Sequence, residues 1–161
     1  MEISIVSKIS DIDSKEWNLI NVDEHPFTSY EFLNSLEESN SVCAKTGWLP
    51  QHIIVKKNNT IIGALPNYLK SHSYGEYVFD HNWANAFERA GGSYYPKLIS
   101  AIPFTPVNGP RFLYKPEYKR EVIELISDTL KKLTIKNNLS SAHINFLSND
   151  YKKILNSENW L

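Results

Sequence analysis

The chain has 161 residues, enough for a single domain with a hydrophobic core of its own. It carries 17 Lys and Arg residues against 18 Asp and Glu, a net charge of -1, which argues against nucleic-acid binding through bulk charge. The sequence lacks both the roughly 20-residue apolar run of a membrane span and the apolar core of a signal peptide, and it has one cysteine, so we predict a cytoplasmic protein.

The first third of the chain predicts a strand followed by two helices. Apolar residues alternate over Glu2–Ile9, the period of a strand. Asp13 begins the first, short helix. Thr28 and Glu31 have the spacing of a capping box, in which each side chain satisfies a free backbone N–H at the start of the second helix. Phe27 and Phe32 flank that start at the positions of a hydrophobic staple.

The next segment predicts a β-hairpin. Gln51–Lys57 and Thr60–Leu69 are rich in β-branched residues, and Asn58-Asn59 between them suits a turn because Asn tolerates positive φ. Pro66 cannot donate a hydrogen bond to a neighbouring strand, which predicts a bulge or a sheet edge there. The stretch before the hairpin, Ser41–Pro50, is predicted to be a loop.

The second half of the chain alternates helices with strands, and its clearest element is a long amphipathic helix. The predicted elements are a helix over Trp83–Ala90, a strand over Leu98–Phe104, a loop over Thr105–Arg111, the long helix over Glu117–Asn138, a strand over Ala142–Leu147 and a helix over Asp150–Asn156. This order predicts a mixed α/β sheet with helices on its faces.

Between the hairpin and the next helix lies the stretch richest in chemistry, Lys70–Asp80. It reads Lys-Ser-His-Ser-Tyr-Gly-Glu-Tyr-Val-Phe-Asp and follows a predicted strand. Charged and aromatic groups on a loop held by a rigid strand are typical of a ligand site. A surface turn with its charges in water is the alternative interpretation.

Several runs resemble one known family. They are Pro26–Leu33, Thr46–His52, Lys70–Asp80, Tyr94–Leu98 and Pro103–Arg111. Together these runs resemble the amino-terminal part of the FemAB-like predicted N-acyltransferases, proteins of peptidoglycan biosynthesis or recognition, and the resemblance covers about residues 20 to 160.

The resemblance implies a fold and an activity. It implies an α/β chain with the fold of Gcn5-related acyl-CoA N-acyltransferases (GNAT), residues 1–161 being one lobe of a normally two-lobe protein, truncated before its last strands. It implies transfer of an acyl or aminoacyl group to an amine of a peptidoglycan-like or peptide substrate, by this lobe or with this lobe as the acceptor-binding half. The alternative is a non-catalytic lobe that serves as a binding or partner-pairing module.

Acyl transfer to an amine needs a group that takes the amine proton. Glu76 and His72 are the candidate catalytic residues, and His81 is a further titratable group nearby. Glu76 lies between Tyr74 and Tyr77, and if these rings cover it, burial will raise the pKa of its carboxyl. The alternative is a surface ion pair between Glu76 and Lys70 or Arg89.

The candidate substrate-binding residues are cations, an acid and aromatic rings around the same loop. They are Lys70, Tyr74, Tyr77, Asp80, Trp83 and Arg111. Interleaved with Lys97 and further aromatic residues, they would suit a sugar–peptide or nucleotide-linked ligand. For any one aromatic residue a place in the core is the alternative. No metal site is predicted, because His72, Asp80 and His81 lack the spacing that marks zinc ligands.

The acyl donor is expected to be acyl-CoA or aminoacyl-tRNA, with no cofactor held tightly. A GNAT fold presents a Gly-rich loop to the donor pyrophosphate at the start of its long helix, and here that junction reads Asn108–Leu113. It has one Gly, and Pro110 removes an N–H, so we expect a second lobe to bind the donor. The expected partners are therefore a cell-wall precursor and a separately encoded second lobe that pairs with an exposed sheet edge, with no membrane span.

Overall fold

The computed structural model describes residues 1–77, 80–157 and 160. Over these ranges the chain forms eight strands and five α-helices, joined by loops and short 3₁₀ turns. The strands are β1 (Glu2–Val6), β2 (Trp48–Pro50), β3 (His52–Lys57), β4 (Thr60–Leu65), β5 (Tyr68–Lys70), β6 (Lys97–Ser100), β7 (Leu113–Tyr114) and β8 (Ala142–Ile144); the helices are α1 (Ser14–Ile20), α2 (Tyr30–Glu38), α3 (His81–Arg89), α4 (Lys119–Lys136) and α5 (Lys152–Ser157). None of these helices combines the length and hydropathy that crossing a membrane requires.

The strands form two four-stranded sheets. The first has the order β1-β3-β4-β7 and is antiparallel throughout. The second has the order β2-β5-β6-β8, in which β6 and β8 run parallel and the other pairs antiparallel. The predicted mixed α/β class is confirmed, whereas the finer GNAT-like assignment stays a prediction.

The chain changes sheets at Pro66. Thr60–Leu69, predicted as one strand, is in fact two strands in different sheets, because Pro66 cannot continue the hydrogen-bond ladder. The polar side chain of Asn67 anchors the switch: its Oδ1 accepts from Ser100 Oγ at 3.0 Å and its backbone N–H donates to His52 Nδ1 at 3.2 Å. Since Nδ1 accepts, the His52 proton is on Nε2, which lies 2.8 Å from Glu37 Oε1.

Alternating strand residues build a core on both faces of the sheets. Ile53 and Val55 of β3 face α4, and Leu98 of β6 joins the same cluster with Ile123 of α4. Ile54, between them in sequence, faces the opposite way into a cluster with α1 and α2. One long helix thus covers a face shared by the two sheets, in keeping with the helical period predicted for it.

Of the two predicted helix starts, one is confirmed and one is wrong. Asp13 caps α1 by accepting from the backbone N–H groups of the first turn. The cap of α2 is Ser29, whose Oγ accepts from Phe32 N at 3.3 Å, and not Thr28. The Thr28 hydroxyl is buried and donates instead to Asn21 Oδ1 at 2.9 Å. A tertiary contact therefore moves the cap by one residue.

The predicted hairpin turn is confirmed, whereas the predicted loop before the hairpin is wrong at its end. Asn58 and Asn59 have φ of 49° and 62°, which confirms the hairpin turn. Ser41–Pro50 was predicted as loop, but its end forms β2, an edge strand of the second sheet. Three residues between loops carry too short a pattern to be read as a strand, and β2 exists through its pairing with β5.

Gly63 of β4 sets how closely α4 approaches the first sheet. A Cβ at this position would overlap both methyl groups of Val122 on α4. We predict that Gly63→Ala lowers the free energy of unfolding by about 1–3 kcal/mol, the usual penalty of overpacking. Urea unfolding checks this, and in a Val122→Ala background the same substitution should cost measurably less. An equal cost in both backgrounds would contradict the packing argument.

Candidate functional site

Two buried lysines lie opposite each other at one end of the second sheet. Lys70 of β5 and Lys97 of β6 are register partners, and Trp48 of β2 is the partner of Lys70 on its other side. Directly opposed residues point to the same face, so the three side chains form a row. Lys97 is 1% exposed and Lys70 is fully covered. Buried ammonium groups need partners, and their partners come from the loop that follows β5.

Lys97 binds two carboxylates. Its Nζ donates to Asp80 Oδ2 at 2.7 Å and lies 3.2 Å from Glu76 Oε2, an ion pair without hydrogen-bond alignment. Tyr94 OH donates to the same Asp80 oxygen at 2.9 Å. Both carboxylates are buried, Glu76 at 4% exposure. We call Lys70, Glu76, Asp80, Tyr94 and Lys97 the buried charge cluster.

Lys70 is held by the loop and by an aromatic ring rather than by a close carboxylate. Its Nζ donates to the Tyr74 carbonyl at 3.0 Å and lies 3.8 Å from the centroid of the Trp48 ring, a cation–π contact. Burial lowers the pKa of Lys70 to about 8, against the opposing attraction of Glu76. A fraction of this lysine is therefore neutral near physiological pH.

The pKa values of the two carboxyls in the buried charge cluster are shifted in opposite directions. Burial raises the pKa of Glu76, and the attraction of Lys97 offsets this only in part. Burial also acts to raise the pKa of Asp80, but the hydrogen bonds from Lys97 and Tyr94 outweigh it and lower the pKa. When the pKa values of two neighbouring carboxyls differ in this way, one carboxyl can exchange protons while the other stays ionised.

Unpartnered polar atoms concentrate in the same place. Among the described residues, Glu76 Oε1, Asp80 Oδ1, Trp48 Nε1 and Tyr95 OH are buried without a hydrogen bond, whereas Glu76 Oε2 has its ion pair with Lys97. Ser73 is near Asp80 and Tyr95, but its Oγ is within hydrogen-bond distance of His81 Nδ1, at 3.2 Å. Each such atom costs roughly 1–3 kcal/mol of desolvation, so native proteins retain few of them, and often at functional sites.

The aromatic members of the predicted site lie outside the cluster. Tyr74, Tyr77 and Trp83 are exposed, Trp83 at 76%. Trp83 is on α3, a helix whose buried contact with the body is made by Ala84. Tyr77 immediately precedes Val78 and Phe79, which belong to the Lys70–Asp80 stretch but lie outside the described residues.

His72 packs against the backbone at Gly47. A Cβ on Gly47, which has a φ of 73°, would meet the imidazole ring. The Nδ1 atom of His72 accepts from Tyr74 N at 3.3 Å, and burial together with the charge of Lys70 lowers the pKa of the ring. His72 is therefore neutral at physiological pH, with its Nδ1 engaged by the loop.

Arg111 lies elsewhere, in the core. It is fully buried and donates to three main-chain carbonyls, those of Val107, Pro110 and Asn145. Burial lowers its pKa to about 10. These bonds tie the loop before β7 to the residues that follow β8, and its role as an anion-binding residue stays a prediction.

The segment expected to meet a donor pyrophosphate does not open the long helix. Asn108–Leu113 leads into β7, and a 3₁₀ turn over Pro116–Tyr118 separates that strand from α4. The prediction that this segment forms the junction with α4 is therefore wrong, because a short strand intervenes. Among the residues that the structure describes, no group of three His, Cys, Asp or Glu side chains is arranged to hold a metal ion.

The sequence indicated Lys97 only as one of several cations near aromatic residues, and not as a member of the site. Lys97 joins Glu76 to Asp80, and the rings of Tyr94 and Tyr95 lie beside its ammonium group. One signal was available: Lys97 directly precedes the apolar run Leu98-Ile99. A lysine next to a buried strand must either lie outside the sheet or be buried with a partner for its charge. Its partners could not be read from the sequence, since they lie about 20 residues away.

Comparison with known proteins identifies one family. The model of the FemAB-like family, described as peptidoglycan biosynthesis/recognition, matches residues 8–161. Neither the curated proteins nor the solved structures yield a match to this chain.

Substitutions of the two carboxyls should have opposite pH dependences. A lowered folded-state pKa makes ionised Asp80 stabilising above its ordinary value of 3.8, so Asp80→Asn should cost about 2 kcal/mol at neutral pH and progressively less as the pH falls below 3.8. A raised folded-state pKa makes ionised Glu76 unfavourable, so Glu76→Gln should gain stability relative to the native chain as the pH rises from 4.5.

Urea unfolding of both variants across this pH range checks the prediction. A Glu76→Gln variant that loses stability relative to the native chain as the pH rises would contradict it. So would an Asp80→Asn penalty that stays constant with pH.

Proposed function

Since the chain belongs to the FemAB-like family of peptidoglycan biosynthesis/recognition, we propose that it serves transfer of an acyl or aminoacyl group to an amine of a peptidoglycan precursor, as an N-acyltransferase or as the acceptor-binding half of one. The observation that supports this most directly is Glu76. Its carboxyl is buried and has a raised pKa; Oε2 is ion-paired with Lys97, and Oε1 has no hydrogen bond. A base for an amine needs this combination of a free acceptor atom and a pKa closer to neutrality.

The proposed step begins with Glu76 ionised. The amine nitrogen attacks the carbonyl carbon of the acyl donor and a C–N bond forms. The amine proton passes to Glu76, the bond from the carbonyl carbon to the donor's leaving atom breaks, and the leaving group departs with the electron pair of that bond and is then protonated. Lys97 holds Glu76 at 3.2 Å, and Asp80 stays ionised to balance the Lys97 charge. Lys97 and Asp80 thus act through Glu76 as positioning residues.

We assign different roles to the exposed and the buried residues of the site. Tyr74, Tyr77 and Trp83 offer exposed rings on which sugar or peptide parts of an acceptor can stack. His72, neutral and engaged at Nδ1, supports the loop and is a second candidate for proton transfer. The donor is proposed to be acyl-CoA or aminoacyl-tRNA. Its binding is assigned to a second lobe, since Asn108–Leu113 leads into β7 and does not present backbone N–H groups at the start of α4. A GNAT-like lobe structure is part of the same proposal.

Burial of the reactive atoms favours a second candidate function. The Glu76 oxygens are buried, so a substrate reaches them only if the groups that cover them move. A lobe in which they stay covered would bind a precursor on its exposed rings without turning it over. The second candidate is therefore a non-catalytic binding or partner-pairing module.

An assay of the native chain and two variants distinguishes the two candidate functions. The native chain, Glu76→Gln and Glu88→Gln are assayed with radiolabelled acetyl-CoA and a muramoyl-pentapeptide that carries a free lysine side chain. Glu88 is exposed on α3 and serves as the matched control. For the form of the proposal in which this chain is itself the N-acyltransferase, we predict turnover by the native chain and by Glu88→Gln, and a loss of about 10²–10⁴-fold in Glu76→Gln, the usual contribution of a general base.

Turnover that survives Glu76→Gln unchanged would remove Glu76 from the mechanism. Binding of the pentapeptide by calorimetry, with no turnover by the native chain, would support the acceptor-binding half or the non-catalytic module over an enzyme complete in this chain. Absence of both binding and turnover with these probes would count against either function for the chain on its own.

A further inference from the structure

A serine and a histidine form a hydrogen-bonded pair at β8. Ser141 directly precedes the strand, and His143 is its middle residue. Residues two apart on an extended chain point to the same face, and here Ser141 Oγ lies 2.8 Å from His143 Nε2. A hydroxyl within hydrogen-bond reach of an imidazole nitrogen is the arrangement that activates a serine as a nucleophile. The step proposed at Glu76 uses neither residue.

The neighbouring serine decides the direction of this hydrogen bond. Ser140 Oγ donates to the Tyr94 carbonyl, so it can only accept from Ser141 Oγ, which lies 3.3 Å away. The Ser141 proton therefore has two acceptors within reach, Ser140 Oγ and His143 Nε2. Because Nε2 is the closer and the more basic of the two, Ser141 donates to Nε2 and the proton of the imidazole is on Nδ1.

The imidazole of His143 is in the protonation state that a base requires. Burial lowers the pKa of His143, the Lys97 charge lowers it further, and the Asp80 charge opposes this shift. The ring is therefore uncharged at neutral pH, which is the form that can take a proton. Ser141 and His143 are both partly exposed, so a substrate can reach them from solvent.

Main-chain hydrogen bonds fix the position of the serine. Ser140 N donates to the Pro96 carbonyl at 3.0 Å, and Leu98 N donates to the Ser141 carbonyl at 2.9 Å. In a parallel ladder the bonded residues of a strand alternate, so the N–H of Ala142 points away from β6. This N–H directly follows the serine, the position of an oxyanion-hole donor in α/β-hydrolases, and can donate to an oxyanion that forms there.

A groove runs along β8 beside the pair. It has a volume of about 800 Å³, within the usual range of small-molecule sites, and lies between β8 with the residues after it, the second half of α4, and α5. Its apolar lining includes Ile135, Leu147, Leu155 and Trp160. Ala142 and Ile144 of β8 pack with α4 in the core. The Ser141–His143 pair faces the other way and therefore stands at the rim of the groove, which it also lines.

The pair and the groove together specify the chemistry of a substrate. A serine nucleophile with a base needs an electrophilic carbonyl carbon that carries a leaving group. The apolar groove favours a hydrocarbon chain attached to that carbonyl, since burying the chain removes it from water. An ester of an apolar acyl chain supplies both parts, with its carbonyl at the rim and its chain in the groove.

We propose that Ser141 and His143 form a second reactive site, which hydrolyses esters of apolar acyl chains through an acyl-serine. This goes beyond the acyl transfer proposed at Glu76 and does not depend on it. Ser141 is the nucleophile, His143 is the general base and then the general acid, and the groove binds the acyl chain.

The reaction has two halves. Ser141 Oγ attacks the carbonyl carbon and its proton passes to His143 Nε2; the bond from that carbon to the alcohol oxygen breaks, and the alcohol leaves with the electron pair of that bond and the proton from Nε2. Water then attacks the acyl-serine and gives a proton to Nε2. The bond from the acyl carbon to Oγ breaks, Oγ keeps the electron pair and recovers the proton, and the carboxylic acid leaves.

The test uses the whole chain with p-nitrophenyl octanoate and p-nitrophenyl acetate as substrates. The variants are Ser141→Ala and His143→Gln, and Ser148→Ala is the matched control because Ser148 lines the same groove. Separately, an octyl fluorophosphonate is added to the native chain, and mass spectrometry of a digest locates the modified residue. Circular dichroism checks that each variant is folded, and ¹⁵N NMR determines which nitrogen of His143 carries the proton.

We expect the native chain and Ser148→Ala to hydrolyse the octanoate at the same rate, and Ser141→Ala and His143→Gln to lose about 10²-fold or more in kcat/KM. The acetate should be hydrolysed with a kcat/KM at least about 10²-fold lower than the octanoate, since each buried CH₂ favours binding by about fourfold. The phosphonate should modify Ser141, and the His143 proton should be on Nδ1.

Hydrolysis that persists in Ser141→Ala, or a phosphonate on another residue, would overturn the assigned nucleophile. Equal rates with the acetate and the octanoate would overturn the role of the groove, and a His143 proton on Nε2 would overturn its role as the base. Absence of both hydrolysis and modification in the native chain would overturn the whole proposal. If His143→Gln does not fold, Ser141→Ala and the phosphonate decide the outcome.

Discussion

The ion pairs of Lys97 are the interaction on which the arrangement of the site depends. Its ammonium is removed from water on the face of a sheet, and such a charge is tolerated in a fold only when anionic partners are close. Asp80 and Glu76 supply them from the loop after β5. Because Asp80 directly precedes α3, the same contact fixes where that helix begins. One buried cation therefore positions a loop, a helix and two carboxyls of different acidity.

The position of Lys97 depends in turn on how the chain changes sheets. Pro66 ends β4, and Asn67 turns the chain into β5 with bonds to His52 and Ser100. This network fixes β5 against β6, and a shift of one residue would turn Lys70 to the opposite face of the sheet. The polar groups buried at the junction thus determine that Lys70, three residues after Asn67, lies opposite Lys97.

The sequence by itself determined the local features of this protein. Helix period, the Asp13 cap, the Asn58-Asn59 turn and the breaking effect of Pro66 follow from the conformational preferences of neighbouring residues. The sequence also marked Lys70–Asp80 as the stretch richest in chemistry, and its runs indicated the family that the comparison then identified. Only the tertiary structure decided that the strands form two sheets, that Ser29 rather than Thr28 caps α2, and that Lys97 joins Glu76 to Asp80 while Arg111 is buried among carbonyl groups. The physical reason is that pairing and burial depend on residues distant in sequence, and a charged side chain has no preference of its own for the partner that burial will require.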